Sequence, residues 1–567
     1  MRVTAELFDL DVLVVDCQTT GASPAHGVVL ELGWCVARAS DPEREASAVA
    51  HWITPPPGQH VSAQVRQLTG FHDSVLAEAI PAEEAWRRLR MLMREPEGGP
   101  TPSAIHFARF ELSFLRDWAE RFEPAAAFPL DAVCVHAIAC RLYPDLPRRN
   151  LRALAGFLGH GLHLERRSLG HVQATAFIWR RLVGELAERG VHTWSELNGW
   201  LESRERAAPR KRRYPLPPAR YRELPDLPGV YRMLRSNGDL LYVGKATSLK
   251  KRVTSHFTKQ RGATERALEM LTQVSEIAHV VTSSALEAAL LETETIKRHN
   301  PPYNVQLLLG ERSVWFSSAD FASAEPEPGG AHALGPLSSR YAVRALRGLS
   351  ELLAGAPTSA ALHAMCVGAP TRWAPDAQSF SDGMALVSER HGLDLTSRDP
   401  ASARKAALDF ARQLLLSAPE RAEADDASPD TEEETAAVWD GPRVARHVER
   451  ATAQSYQVLR RAAWLRLLAS SSVAYREPGS RSARFLALDL ARIVETGDLA
   501  DGQPLPAPHV RNPHERRACF DAASYDALRI LTTELKRILR DGGEVSVRLS
   551  RNRLLLGAQL RSVLRLV

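Results

Sequence analysis

Tyr231 and Tyr242 each sit in a short run with valine and glycine, Gly229-Val230-Tyr231 and Tyr242-Val243-Gly244. Lys245, Lys250, Lys251 and Arg252 follow closely. Phenol hydroxyls and cations gathered at one place offer hydrogen bonds and positive charge, which suits a phosphate. Glu292 brings the opposite charge. Projected at about 100° per residue, it shares an arc with Ala285, Ala288, Ala289 and Ile296, while Glu287 and Glu294 fall elsewhere. A carboxylate on a small, apolar helix face is costly unless it is paired or binds a cation. Taken singly, these residues have plainer readings: half-buried strand tyrosines, a solvated cationic face, a satisfied buried acid. Their occurrence together in one stretch is what points to chemistry.

The elements that must position them are legible. The runs around Tyr231 and Tyr242 are rich in Val, Tyr and Leu and flank Ser236-Asn237-Gly238-Asp239, whose Asn-Gly pair tolerates the positive φ angles of a tight turn. A β-hairpin with a tyrosine on each arm is expected. After it, Thr247 or Ser248 can cap a helix whose first turns carry Lys250, Lys251 and Arg252. A second helix is expected from Ser284, where Ser284 and Glu287 have capping-box spacing. It ends at "NPPYN", with Asn304 close behind.

With these residues in order, the stretch from about Leu224 to Leu309 resembles the GIY-YIG nuclease domain, above all its version in the bacterial repair nuclease UvrC and the shorter relative Cho. The resemblance rests on Gly229-Val230-Tyr231, Tyr242-Val243-Gly244-Lys245, Arg252, the "LLE" ending at Glu292 and the "PPYN" ending at Asn304. His256 departs from that subfamily, which often has tyrosine there. The resemblance implies metal-assisted hydrolysis of a phosphodiester in DNA, with Glu292 holding one divalent ion, Mg²⁺ or Mn²⁺. Tyr231 would activate the attacking water, and Tyr242, Lys245 and Arg252 would stabilise charge on the phosphate. Asn304 completes the catalytic set, and Gly229, Gly244, Lys250 and Lys251 would lie toward the substrate.

The whole chain has 567 residues, room for three or four domains of about 100 to 200 residues each. Its formal charge of +5 permits nucleic-acid binding without demanding it. The six cysteines form no C-x-x-C pair, which argues against a zinc ribbon and suits a reducing cytoplasm. No secretory signal and no long apolar run is evident, so a cytoplasmic, nucleoid-associated protein without membrane contact is expected. Ser203 to Arg222 mixes arginine with proline and reads as a linker or arm, and the acidic Pro419 to Thr435 reads as a second joint. The expected segments are 1–200, a basic linker 201–222, the nuclease domain 223–310, a region 311–418, an acidic linker 419–435 and an α+β domain 436–567.

In the first segment, "DVLVVDCQTTG" reads as an apolar strand ending at Asp16 and followed by a turn at Thr19-Thr20-Gly21, and "VVLELGWCVAR" reads as a second strand. "HDSVLAEAIPAEEAWRRLRMLM" and "NLRALAGFLG" read as helical, giving an α/β sheet domain. With "VRQLTGF", "HFARFELSFL" and "RRSLGHVQATA", this order resembles DnaQ-type DEDD exonucleases, which include the epsilon subunit of DNA polymerase III, and it implies an RNase H-like fold. That family uses four carboxylates around two ions and a histidine base. Matched residue by residue, Asp16 is present, Gln18 replaces the second acid, Glu111 stands for an aspartate, Arg166 replaces the histidine and His171 the last acid. Hard divalent ions want oxygen anions, so an inactive exonuclease fold retained for binding DNA or protein is expected.

The C-terminal half gives strands and helices but no activity, no helix-hairpin-helix signature and no strand-borne aspartate pair. "ALGPLSSRYAVRALRGLSELL" is similar to the UvrC segment in which a Gly-Pro turn precedes a helix. The expected architecture is an α/β and α+β multidomain chain. The expected function is a single-strand incision near a DNA lesion, with a UvrB-like loading helicase or polymerase III subunits as partners. The competing expectations are a proofreading 3′-5′ exonuclease and a DNA-binding scaffold.

Overall fold

The computed structural model describes residues 6–94, 99–161, 167–203, 212–258, 263–305, 314–368, 375–417, 439–500, 502–508, 517 and 520–567. Arg166 and the acidic stretch 419–435 lie outside the described residues. The chain divides into two compact units, Met1–Ser283 with Pro301–Asn304, and Ser284–Asn300 with Val305–Val567.

The first unit opens with β1 (Val12–Thr19) and β2 (Val29–Ala37), apolar strands buried along most of their length, and the short β3 (Val49–Trp52). After α1 (Ala63–Thr69) and α2 (Ala82–Arg90) come β4 (Thr101–Ile105), α3 (Ala108–Phe122), β5 (Leu130–Cys134), α4 (Val135–Leu142), α5 (Leu151–Phe157), α6 (Ser168–Ala187) and α7 (Trp194–Glu202). The sheet order is β3-β2-β1-β4-β5, with the first three strands antiparallel and β4 and β5 parallel to β1. An antiparallel meander continued by parallel strands is the RNase H-like arrangement. Two local expectations change. β1 runs on to Thr19, so Asp16 and Gln18 lie within the strand and, two residues apart, on one face. The stretch read as one helix splits into a 3₁₀ turn at Asp73–Ala77 and α2, because Pro81 cannot continue the first and suits the start of the second.

The same unit then forms α8 (Pro218–Arg222), β6 (Gly229–Leu234), β7 (Leu240–Ala246), α9 (Leu249–Thr258), α10 (Glu265–Gln273) and β8 (Glu276–Val281), with sheet order β7-β6-β8 and all pairs antiparallel. In the β6–β7 turn Gly238 takes φ +87°, and Ser248 Oγ accepts from the Lys251 N–H at the start of α9. The second half of the supposed arm is core: Leu216 and Tyr221 are buried, and the Tyr221 ring stacks on Phe257 at 4.6 Å.

The second unit contains α11 (Ala285–His299), a small sheet of β9 (Trp315–Ser318), β10 (Ala324–Glu325) and β11 (His332–Leu337), and helices α12 (Arg344–Leu353), α13 (Thr358–Cys366), α14 (Ala377–His391), α15 (Pro400–Ser417) and α16 (Gly441–Leu468). Gly335-Pro336 lies inside β11 and not in a turn. Five antiparallel strands follow in the order β14-β13-β12-β15-β16: β12 (Ser472–Arg476), β13 (Ala483–Asp489), β14 (Arg492–Leu499), β15 (Glu544–Ser550) and β16 (Arg553–Leu556). They are covered by α17 (Ala522–Arg540) and α18 (Gly557–Arg565). Leu286 and Leu290 of α11 pack into this domain's core with Trp464, Tyr475 and Leu535, and Lys297 pairs with the buried Asp526 at 2.7 Å. Among the described residues, no helix is long and apolar enough to cross a membrane.

Candidate active site

The β6–β7 register sets Tyr231 directly opposite Gly244, and Gly229 opposite Ala246. Both glycines are buried and serve as spacers. A Cβ on Gly244 would lie 2.5 Å from Tyr231 Oη and 2.9 Å from Tyr242 Cε1, and one on Gly229 would strike the Val280 carbonyl and come within 2.9 Å of Leu249 Cδ1. Tyr231, fully buried, passes its hydroxyl through the space Gly244 leaves and meets His256 Nε2 at 2.8 Å. The Tyr231, Tyr242 and His256 rings form a triangle with centroids 5.8 to 6.1 Å apart.

Burial, and then the charge of Arg252 one turn earlier on α9, push His256 down to about 4. The imidazole is therefore neutral near pH 7 and can accept the phenol proton. Lys245, Lys250 and Arg252 are exposed, whereas Lys251 is drawn to Asp226 at 3.5 Å. Asn304 is buried, and its side chain both accepts from the Val243 N–H and donates to the Val243 carbonyl, each at 3.0 Å. It thereby clips the chain end to β7. Removing that amide would leave two buried backbone groups unpaired, at a cost of about 1–3 kcal/mol each.

Glu292 is half-buried on α11, on the arc that holds the buried Ala288, Ala289 and Ile296. The capping box is half formed: Ser284 Oγ accepts from the Glu287 N–H, but the Glu287 carboxylate turns instead to Arg484 at 2.9 Å and Tyr475 at 3.1 Å. Glu292 is thus a half-buried acid on the helix face that also carries Ala288, Ala289 and Ile296, and a carboxylate is the ligand type a hard divalent cation prefers.

In the exonuclease-like module, β1 and the start of α6 bring Asp16, Gln18 and His171 together. His171 Nδ1 lies 3.2 Å from Asp16 Oδ1 and 3.2 Å from Gln18 Nε2. Burial alone would lower His171, but its hydrogen bond to Asp16 and that carboxylate's charge raise it overall. Glu111 accepts from the Cys17 N–H at 2.8 Å, and burial, followed by repulsion from Asp16, raises its pKa well above the usual carboxylate range. Among the described residues, no three His, Cys, Asp or Glu side chains gather as metal ligands.

Two participants escaped the sequence reading. His256 was noticed only as a departure, although its place one turn after Arg252 was the available signal. Glu31, a lone acid inside an apolar strand, is fully buried and receives Arg167 Nε at 2.8 Å and the Ser168 N–H at 2.9 Å, fixing the start of α6 to β2.

Residues 227–305 match the family model described as the UvrC-like GIY-YIG domain. A relative named putative bifunctional exonuclease/endonuclease protein MT2247, from Mycobacterium tuberculosis, is 28% identical over 62% of this chain and 51% of its own length. The UvrABC system protein C of Psychrobacter sp. is 48% identical over 18% of this chain and 16% of its own. The chain thus spans about half the length of the first relative and a small part of the second. Among solved structures, the N-terminal endonuclease domain of Thermotoga maritima UvrC, bound to its catalytic divalent cation magnesium, is 32% identical over 15% of this chain and 92% of that one, with a TM-score of 0.14. The nuclease domain of 3′hExo, a DEDDh family member bound to rAMP, is 14% identical over 32% of this chain and 95% of that one, with a TM-score of 0.28.

Proposed function

We propose that this chain, which carries a UvrC-like GIY-YIG domain over residues 227–305, is a metal-dependent endonuclease that nicks one DNA strand beside a lesion. The observation that carries the reading is the buried Tyr231 hydroxyl held 2.8 Å from a neutral His256. A phenol so placed donates its hydrogen to His256 Nε2 in a hydrogen bond, which turns its oxygen lone pairs toward an attacking water that they can orient. The exposed Arg252 and Lys245 stand ready for the phosphate oxygens, where charge builds as the phosphorus–oxygen bond breaks. Glu292 is the carboxylate for a divalent ion, Mg²⁺ or Mn²⁺, whose chemistry when bound is to polarise the phosphoryl oxygen and stabilise the leaving oxygen. On this reading the protein works in the cytoplasm, and a UvrB-like helicase is the kind of loader that would deliver the damaged strand.

The exonuclease-like module, on the same reading, does not cut. Two divalent ions need several carboxylates, and here Asp16 is engaged by His171 and Glu111 is biased toward its neutral form. The test is Glu292→Gln in the full chain, assayed by Mg²⁺-dependent nicking of lesion-bearing supercoiled plasmid. Nicking should vanish while DNA binding and the melting temperature stay within error of the parent. Undiminished nicking would overturn the assignment.

A further inference from the structure

We propose that the exonuclease-like module is the platform on which the nuclease strand β7 is held in place, with α5 docking on α10 and a buried polar relay running from one module into the other. The proposal rests on the nuclease reading above and gives the non-cutting module a role inside the same reaction.

The relay is continuous. Asn150, which caps α5 by accepting the Ala153 N–H, also donates to Glu269 Oε2 of α10 at 2.7 Å. The other oxygen of Glu269 accepts the Tyr303 hydroxyl at 2.6 Å, and that hydroxyl accepts from Gln273 Nε2 at 2.6 Å. Gln273 Oε1 in turn receives Arg235 Nε at 3.0 Å, and Arg235 Nη1 returns to the exonuclease-like module at the His160 carbonyl, 3.0 Å away. Arg235 and Gln273 are each only 2% exposed. An ion pair between Arg148 and Glu265 lies at the same junction.

Tyr303 is the output. Its backbone N–H bonds the Leu241 carbonyl at 3.1 Å, and its neighbour Asn304 grips both backbone groups of Val243. Leu241 and Val243 flank Tyr242 on β7, and Gly244 and Lys245 follow. A side chain at Asn150 is therefore linked through Glu269 and Tyr303 to the strand that carries the phosphate-facing groups. Buried polar networks of this kind fix geometry when every member is satisfied.

The docking also leaves a mark in the sequence. Gly156 of α5 sits where a Cβ would overlap Gln273 Oε1 and come within 2.7 Å of Gln273 Cδ and 2.9 Å of Arg235 Nε. A glycine inside a helix is less favourable than an alanine there. Here it buys the close approach of α5 to the relay.

Two variants of the full chain test the proposal. Gly156→Leu wedges the relay open, and Asn150→Asp keeps an acceptor for the Ala153 N–H while facing Glu269 with a second carboxylate. The measurements are hydrogen exchange of the Val243 amide, steady-state nicking of lesion-bearing plasmid, and thermal unfolding. In both variants Val243 exchange should quicken by about tenfold or more, and kcat should fall by about tenfold or more with KM within about threefold. If Gly156→Leu does not fold, Asn150→Asp decides alone. Parent-like Val243 exchange and kcat in a folded variant would overturn the platform role. Val243 exchange is read without turnover, so it tests the platform even if Glu292→Gln were to retain nicking and sink the nuclease reading.

Discussion

Gly244→Ala is the smallest change that reaches the chemistry. The new methyl would lie 2.5 Å from Tyr231 Oη and 2.6 Å from Cζ, against an ordinary contact of 3.4 Å. Either the β6–β7 pair or the phenol must therefore move by close to 0.9 Å. The strand is held by its antiparallel register and by Asn304, and the Tyr231 ring is fully buried, so neither yields freely. Overpacking of this kind costs about 1–3 kcal/mol of stability. The rate should suffer more, because catalytic groups tolerate displacements of about 0.5 Å and a misplacement of about 1 Å can cost on the order of 10²-fold. The 2.8 Å bond to His256 is the contact that breaks first. Plasmid nicking under single-turnover conditions, measured beside thermal melts, separates the two effects. A folded Gly244→Ala protein that nicks within about threefold of the parent rate would refute the claim that the glycine exists to admit the Tyr231 hydroxyl.

His256, pushed down to about 4 by burial and Arg252, should leave the nicking rate without an inflection near its ordinary value of 6.5, the loss appearing only as the pH nears 4. Because this folded pKa lies below the unfolded one, its stability contribution is present above 6.5 and lost as the pH falls from there toward 4, so His256→Gln should flatten the pH dependence of unfolding in that window. Residues 1–200 of the intact protein should give no 3′-5′ degradation with Mg²⁺ or Mn²⁺, checked on a 3′-tailed oligonucleotide in the Glu292→Gln background. Gln18→Glu, Arg166→His and His171→Asp together should create measurable exonuclease activity, and activity in the unmodified site would reverse the assignment.

The repetition of tyrosine and glycine was legible in the sequence because an antiparallel register converts spacing into contact: one arm's tyrosine needs the other arm's glycine across from it. The RNase H-like sheet was legible for a similar reason, since β1 and β2 are apolar runs with few competing periodicities. What stayed hidden depends on partners far apart in the chain. Nothing local marks Gly156 as the contact point for Gln273, or Glu269 as the hinge between Asn150 and Tyr303. The extent of α11 was legible from Ser284, yet its packing on α17 was not, because Leu286 and Leu290 look the same whichever core receives them. The arm before Arg222 misled by composition: prolines and arginines dominate it, while Leu216 and Tyr221 carry its packing.

The two sites of the chain also differ in how they treat charge. Around β6 and β7 the cations Lys250 and Arg252 stay exposed and Tyr231 is paired with a neutral imidazole, an arrangement that on the proposed reading receives a phosphate. In the exonuclease-like module positive charge is consumed internally. Arg167 is spent on the buried Glu31 and stacks on Trp52 at 4.5 Å, and His171 is held at Asp16. His171, 3.2 Å from Asp16, has its affinity for a proton raised by that carboxylate, and a proton held there sets positive charge where a metal ion would otherwise bring it. Restoring Gln18→Glu alone would then strengthen the hold on His171 before it attracted an ion. For that reason the three substitutions belong together, and the single one should remain silent.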